Sequence, residues 1–172
     1  ALDTTLEFAP EHPEALRLYA ILHTRAQRQD EAQACLQQVL ARWPDYALAW
    51  SDLGGVQQAR GDMEAAFASW RQACALAPAA PMPWFNLGRN LQLHGDTDAA
   101  IEALQQAHAL AADFLPALIL LGDALVHAGR FDEADARYRA ALALHPACGD
   151  AWRGLANMKT RPLSDADREQ LG

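Results

Sequence analysis

Apolar residues recur along this chain at helical spacing, three to four positions apart, in runs separated by short polar turns. The two-residue alternation of a half-buried strand is absent. Between positions 47 and 78, Trp50, Leu53, Gly54 and Gln57 define one stripe, and Phe67, Trp70, Ala73 and Cys74 define the next. Gly61 between them suits the left-handed conformation that ends a helix. Asp62 and Glu64 open the second run, where the helix dipole favours negative charge, and Pro78 stops it. The pattern predicts helices over 13–27, 30–43, 47–60, 63–76, 82–94, 97–110, 115–128, 131–144 and 149–160. A further short helix is predicted after Ser164, which would cap it with Asp167 three residues on.

The stripes repeat. Trp50 and Trp84 lie 34 residues apart, as do Gly54, Gly88 and Gly122, and Gly61, Gly95 and Gly129. Ala32, Ala66, Ala100 and Ala134 keep the same step, and Pro44, Pro78 and Pro146 keep it with a gap at Ala112. A fixed period without insertion means one structural unit used repeatedly, each unit too small to bury a core alone. The register divides the chain into 13–46, 47–80, 81–114 and 115–148. Residues 1–12 read as the end of a preceding repeat, with Leu6 and Pro10 in matching places, and 149–172 as a partial fifth repeat or capping helix and tail. The first unit departs from the pattern: Gln27 stands for the turn glycine, Leu16 for tryptophan and Ala20 for glycine. The same geometry with a less favourable turn is expected there. Small residues should let paired helices approach closely, with Ala100 opposite Gly88.

This pattern, carried in the second unit by Trp50, Leu53, Gly54, Ala66, Trp70, Ala73 and Pro78, resembles the tetratricopeptide repeat (TPR). The resemblance covers nearly the whole chain. It implies an all-α fold: a right-handed superhelical solenoid of antiparallel helix pairs, whose first helices line a concave groove that binds partners.

Composition narrows the picture. The chain has 172 residues, a net charge of −8 and 51% hydrophobic residues, many of them alanine. Its acidity (pI near 5.1) argues against nonspecific nucleic-acid binding. No apolar run is long enough to span a membrane, and the acidic N-terminal residues do not form a signal peptide. A cytoplasmic setting is expected, and the missing initiator methionine suggests a piece of something longer. Cys35, Cys74 and Cys148 are too scattered for a disulfide framework or a metal pair.

No catalytic constellation emerges, so the chain alone is read as non-enzymatic, without cofactor or metal. The histidines His12, His23, His94, His108, His127 and His145 form no HExxH pair, and His23 falls on a packing face. The run from His94 to Ala100 contains Asp96 and Asp98 but lacks the remaining ligands of a calcium loop, so helix capping explains it better. Trp50, Trp84 and Trp152 recur at one repeat position and should pack between helices.

The candidate site is therefore the groove. Most acids fall at the starts of the second helices. The groove candidates are Arg17, Asp52, Phe85, Asn86, Arg89, Ile119, Asp123, Arg153 and Asn157. Arg17, Arg89 and Arg153 are the expected anchors, and Phe85 and Ile119 the apolar patch. This suits an extended peptide with a carboxylate near an apolar residue. The competing reading pairs these arginines with nearby acids such as Asp52 and Asp123. TPR clamps for acidic chaperone termini need a Lys and Asn set that neither register supplies. The asparagine ladder of TPR glycosyltransferases would need more than Asn86 where the chain has Leu18, Asp52, Asn86, Leu120 and Gly154.

The segment Ala151–Leu171 resembles the junction in bacterial TPR–sulfotransferase fusions. That implies a recognition arm whose catalytic domain lies downstream. The functional readings are thus a scaffold that binds a peptide or partner domain, an arm of a sulfotransferase bearing its own downstream domain, and a self-assembling array forming a homo-oligomer.

Overall fold

Each predicted run becomes a helix because its apolar residues fall on one stripe and a turn residue ends it. The structure, a computed structural model, describes residues 12–158. Among these residues there are nine helices and no strand: α1 (Pro13–Arg25), α2 (Gln29–Arg42), α3 (Ala47–Ala59), α4 (Met63–Leu76), α5 (Pro81–His94), α6 (Thr97–Leu110), α7 (Leu115–His127), α8 (Phe131–Leu144) and α9 (Gly149–Asn157). Their ends agree closely with the sequence pattern, α9 stopping earlier than expected. The preceding repeat end and the helix after Ser164 lie outside the described residues.

The chain divides into two compact units, Ala1–Pro83 and Trp84–Gly172. In the first, α1 packs on α2, α2 on α3 and α3 on α4. In the second, α6 packs on α7, α7 on α8, and α9 on both α8 and α7. The first core gathers Ala20, Ala32, Leu36, Val39, Ala49, Leu53 and Val56. The second gathers Leu104, Leu118, Leu121, Leu125, Tyr138, Trp152 and Leu155 among others.

The turns within pairs share one construction. Gly61, Gly95 and Gly129 have φ of +84°, +87° and +73°, and the next N–H reaches back to the last helical turn: Asp62 to Gln57, Asp96 to Leu91, Arg130 to Leu125. This is the left-handed helix stop, cheap only for a residue without Cβ. In the first unit Gln27 takes the same conformation at φ +60°, and Arg28 N–H bonds to the His23 carbonyl. The fold imposes the geometry against the residue's preference. Asp62 and Asp96 then cap α4 and α6 by accepting the N–H of Ala65 and Ala99.

Close approach within a pair is set by the small residue on the first helix and a large one sixteen positions later. A Cβ on Gly88 would lie 2.7 Å from Leu104 Cγ, and one on Gly122 would lie 2.6 Å from Tyr138 Cε1. Gly54 abuts the Trp70 indole in the same way. Leu104 thus fills the space nearest Gly88, the place that the sequence pattern assigns to Ala100; Ala100 is fully buried beside it in the α6 packing face. The tryptophans add a second tie. Nε1 of Trp50 donates to the Pro44 carbonyl at 2.7 Å, and that of Trp152 to the Pro146 carbonyl at 2.9 Å. Each indole pins the loop before its helix.

Gln27→Gly should raise stability by about 0.5–1 kcal/mol, because it removes a left-handed non-glycine residue; chemical denaturation measures it, and a loss of stability would contradict the turn assignment. Gly122→Ala should cost about 1–3 kcal/mol through overpacking against Tyr138. Gly55→Ala, where a Cβ meets nothing within 4 Å, should instead gain up to about 1 kcal/mol from helix propensity. Equal effects at Gly55 and Gly122 would refute the packing account.

Candidate functional site

In the first unit, Arg17 on α1 donates from Nε to Asp52 Oδ2 on α3 at 2.7 Å and from Nη1 to Glu14 Oε1 at 2.7 Å. Tyr46, just before α3, donates its hydroxyl to the other Glu14 oxygen. The arginine is mostly covered, its side chain 16% exposed. Burial pushes the Asp52 carboxyl above its ordinary range, and Arg17 holds it partly back. Burial and the bond to Glu14 push the Tyr46 hydroxyl up to about 12. This four-group network ties α1 to α3. The sequence pattern offers Arg17 as a ligand anchor; in the structure it is neutralised by two carboxylates, one of them the Asp52 of the competing reading.

In the second unit, α5, α7 and α9 are the first helices of their pairs. The step of 34 makes Phe85, Ile119 and Arg153 one row and Arg89, Asp123 and Asn157 another. Phe85 does not belong to an accessible face. It is buried, 9% exposed, with its ring edge-on to Phe114 at 4.9 Å between centroids. Phe85 and Arg89 stand one helical turn apart and so lie on the same side of α5; what separates them is that Phe114, from the loop before α7, covers the Phe85 ring while Arg89 stays exposed. Asn86 is half-buried, and its carbonyl accepts a bond from the Nδ2 of buried Asn90 at 2.7 Å.

Leu93 supplies the exposed apolar surface instead. It is 75% exposed and stands one helical turn after Arg89, so the two share a face. Its repeat position is occupied elsewhere by Arg25, Ala59 and His127. A leucine amid those polar or small residues is the signal the sequence offers. Ile119 is half-buried against the core on α7, and Arg153 and Asn157 are exposed on α9. Arg153 pairs with Asp150 one turn back. Arg89 has no ion-pair partner among the described residues.

Asp123 has an unexpected support. Tyr138 on α8 lies against Gly122 of α7 and Gly154 of α9, and its hydroxyl donates to Asp123 Oδ1 at 2.6 Å. Burial and the neighbouring carboxylate push the tyrosine pKa upward, so it stays a neutral donor. Among the described residues no cation pairs with Asp123.

Other chemistry is thin. Burial raises the Cys74 thiol to about 11 and also pushes Cys35 up, which suppresses nucleophilic thiolate. His23 is buried edge-on to Tyr19 at 4.5 Å. Among the described residues no group of His, Cys, Asp and Glu gathers where a metal ion could sit. No helix among them is long and apolar enough to cross a membrane.

Arg17→Ala would leave Glu14 and Asp52 without their cation and should cost about 1–2 kcal/mol at pH 7. Asp52 has a folded pKa above its unfolded one, so its contribution favours folding below the unfolded pKa and is lost as pH rises through the folded value. Removing Arg17 raises the folded value further. The cost of the substitution should therefore shrink as the pH falls through the range where Asp52 protonates. Urea melts of both proteins at neutral and acid pH measure this, and a cost independent of pH would contradict the network.

Comparison with known proteins agrees with this architecture. Tetratricopeptide repeat models match residues 24–81 and 91–158. No curated protein sequence matches the chain. Among solved structures, YrrB, described as a TPR protein with an unusual peptide-binding site, superposes with a TM-score of 0.73 at 21% identity, over 90% of this chain and 79% of its own. The thermophilic TPR protein TTC0263 of Thermus thermophilus gives 0.71 at 25% identity, over 88% and 84%. MamA from Desulfovibrio magneticus RS-1 gives 0.70 at 20% identity, over 86% and 84%. With helix pairs, turn glycines and matched family models in agreement, the chain belongs to the tetratricopeptide repeat family.

Proposed function

We propose that this chain is a non-catalytic protein-interaction module and that the first-helix face of its second unit, formed by α5, α7 and α9, binds an extended peptide. The observation that carries the reading is Arg89. It is an exposed guanidinium without an ion-pair partner among the described residues, one turn from a leucine that is 75% exposed. Arginine can hold a carboxylate with two parallel bonds, and an exposed leucine beside it favours an apolar neighbour on the ligand. The other two expected anchors, Arg17 and Arg153, already have carboxylate partners. The peptide-binding site in the description of YrrB supports the same class of function. Ile119 and Asn157 extend the face onto α7 and α9.

A second reading, the recognition arm of a sulfotransferase, rests on the Ala151–Leu171 segment. Residues 159–171 lie outside the described part, and none of the families or structures named above is a sulfotransferase. The full reading frame decides it: a downstream domain with a strand–loop–helix phosphate cradle would support it.

The peptide reading is tested with a fluorescent decapeptide library carrying one Asp or Glu beside a Leu. The tightest binder, titrated against Arg89→Ala and Leu93→Ser, should lose about 1–2 kcal/mol of binding with each variant. Undiminished affinity in both, with melting temperatures intact, would place the binding surface elsewhere.

A further inference from the structure

Arg89 and Asp123 occupy the same position in consecutive repeats of the second unit. Charged residues on a repeat array's helices commonly find partners, and several of those here do. Arg17 binds Asp52 and Glu14, Arg153 approaches Asp150, Arg130 grips Glu133 and Arg139 bonds to Asp135. Arg89 and Asp123 form no ion pair with each other or with any other described residue. The two opposite charges are left for something else.

Asp123 is also held in place. The Tyr138 hydroxyl fixes one carboxylate oxygen at 2.6 Å, and the ring delivering it is itself buried, 1% exposed. The hydroxyl reaches the first helix because Gly122 and Gly154 leave room for the ring. The same repeat position carries Leu36 and Leu104, which have no polar head to offer, and Trp70, whose Nε1 donates to the Ser51 carbonyl at 3.1 Å. Of these four, Tyr138 alone orients a charged group on the first helix. The second carboxylate oxygen has no donor among the described residues. A carboxylate immobilised on one oxygen and open on the other is preorganised to accept a cation without further ordering cost.

We propose that the second unit recognises a bipolar peptide, one that places an acidic group on Arg89 and a lysine or arginine side chain on Asp123. This rests on the peptide reading above and specifies its ligand. Tyr138 is then a positioning residue, acting through Asp123. Charge complementarity at two fixed points also sets the direction of the bound chain, since reversing the peptide would bring like charges together.

The test uses three decapeptide libraries: one with a single acidic residue, one with a single basic residue, and one with both at varied separation and in both orders. The wild-type protein should enrich the two-charge library by about tenfold over either single-charge library, and one order over the other. Asp123→Asn keeps an acceptor for the tyrosine hydroxyl and so should fold normally. It should lose the preference for the basic residue while keeping that for the acidic one. Tyr138→Phe should weaken selection of the basic residue without affecting that of the acidic one, and Asp123→Asn in the Tyr138→Phe background should add little. Exchanging the charges, Arg89→Asp with Asp123→Arg, should invert the preferred order. If the acidic library is enriched as strongly as the two-charge library and Asp123→Asn changes nothing, the bipolar ligand is wrong while the peptide face stands. If no library is enriched, both readings fall.

Discussion

The structure depends on how closely the two helices of a pair can approach. That distance is set at one point, where a residue with little or no side chain on the first helix faces a large one sixteen positions later. Gly54 with Trp70, Gly88 with Leu104 and Gly122 with Tyr138 are the instances, and buried Ala20 and Leu36 hold the equivalent positions in the first repeat. At 2.6–2.7 Å for Gly88 and Gly122, even a methyl group would force the packing apart. The contact fixes the rotation of each first helix, and so fixes which residues it turns toward solvent. Gly88 faces Leu104, and of the residues one turn apart beside it, Phe85 is covered by Phe114 while Arg89 stays exposed.

The same contact carries chemistry in one repeat. A leucine in the close-packed position contributes only apolar contact, whereas a tyrosine there passes its hydroxyl to the far side of the pair. The glycines that permit close packing thus let a second-helix residue orient a first-helix carboxylate. Electrostatics then separates the two units' polar groups. The Arg17 network is internally satisfied and reads as a tie between helices. Arg89 and Asp123 have no charged partner among the described residues, and they carry the functional reading.

Most of the fold was legible in the sequence because a strict period shows the same positional demand several times. Gly61, Gly95 and Gly129 mark the turn, and Gln27 was readable as the same turn without its preferred residue. The site was harder. Periodicity identifies which positions are equivalent, but a single buried-or-exposed decision at the margin of a stripe depends on what the neighbouring chain covers. The stripe misplaces Phe85, which Phe114 from the following loop covers, and passes over Leu93, which is left exposed. Pair interactions across helices were less visible still. Arg17 with Asp52 could be foreseen as one of two alternatives, but Tyr138 with Asp123 depends on where a ring lies between two glycines, which no spacing rule encodes.

The central claim is that partners engage the first-helix face of the second unit. It is tested most directly by backbone amide chemical-shift mapping of the isotope-labelled chain titrated with a soluble peptide bearing one acidic, one leucine and one basic residue. The account predicts shifts concentrated at Asn86–Leu93 on α5, Ile119–Val126 on α7 and Arg153–Asn157 on α9. Shifts confined to α6 and α8, or to the first unit, would contradict it.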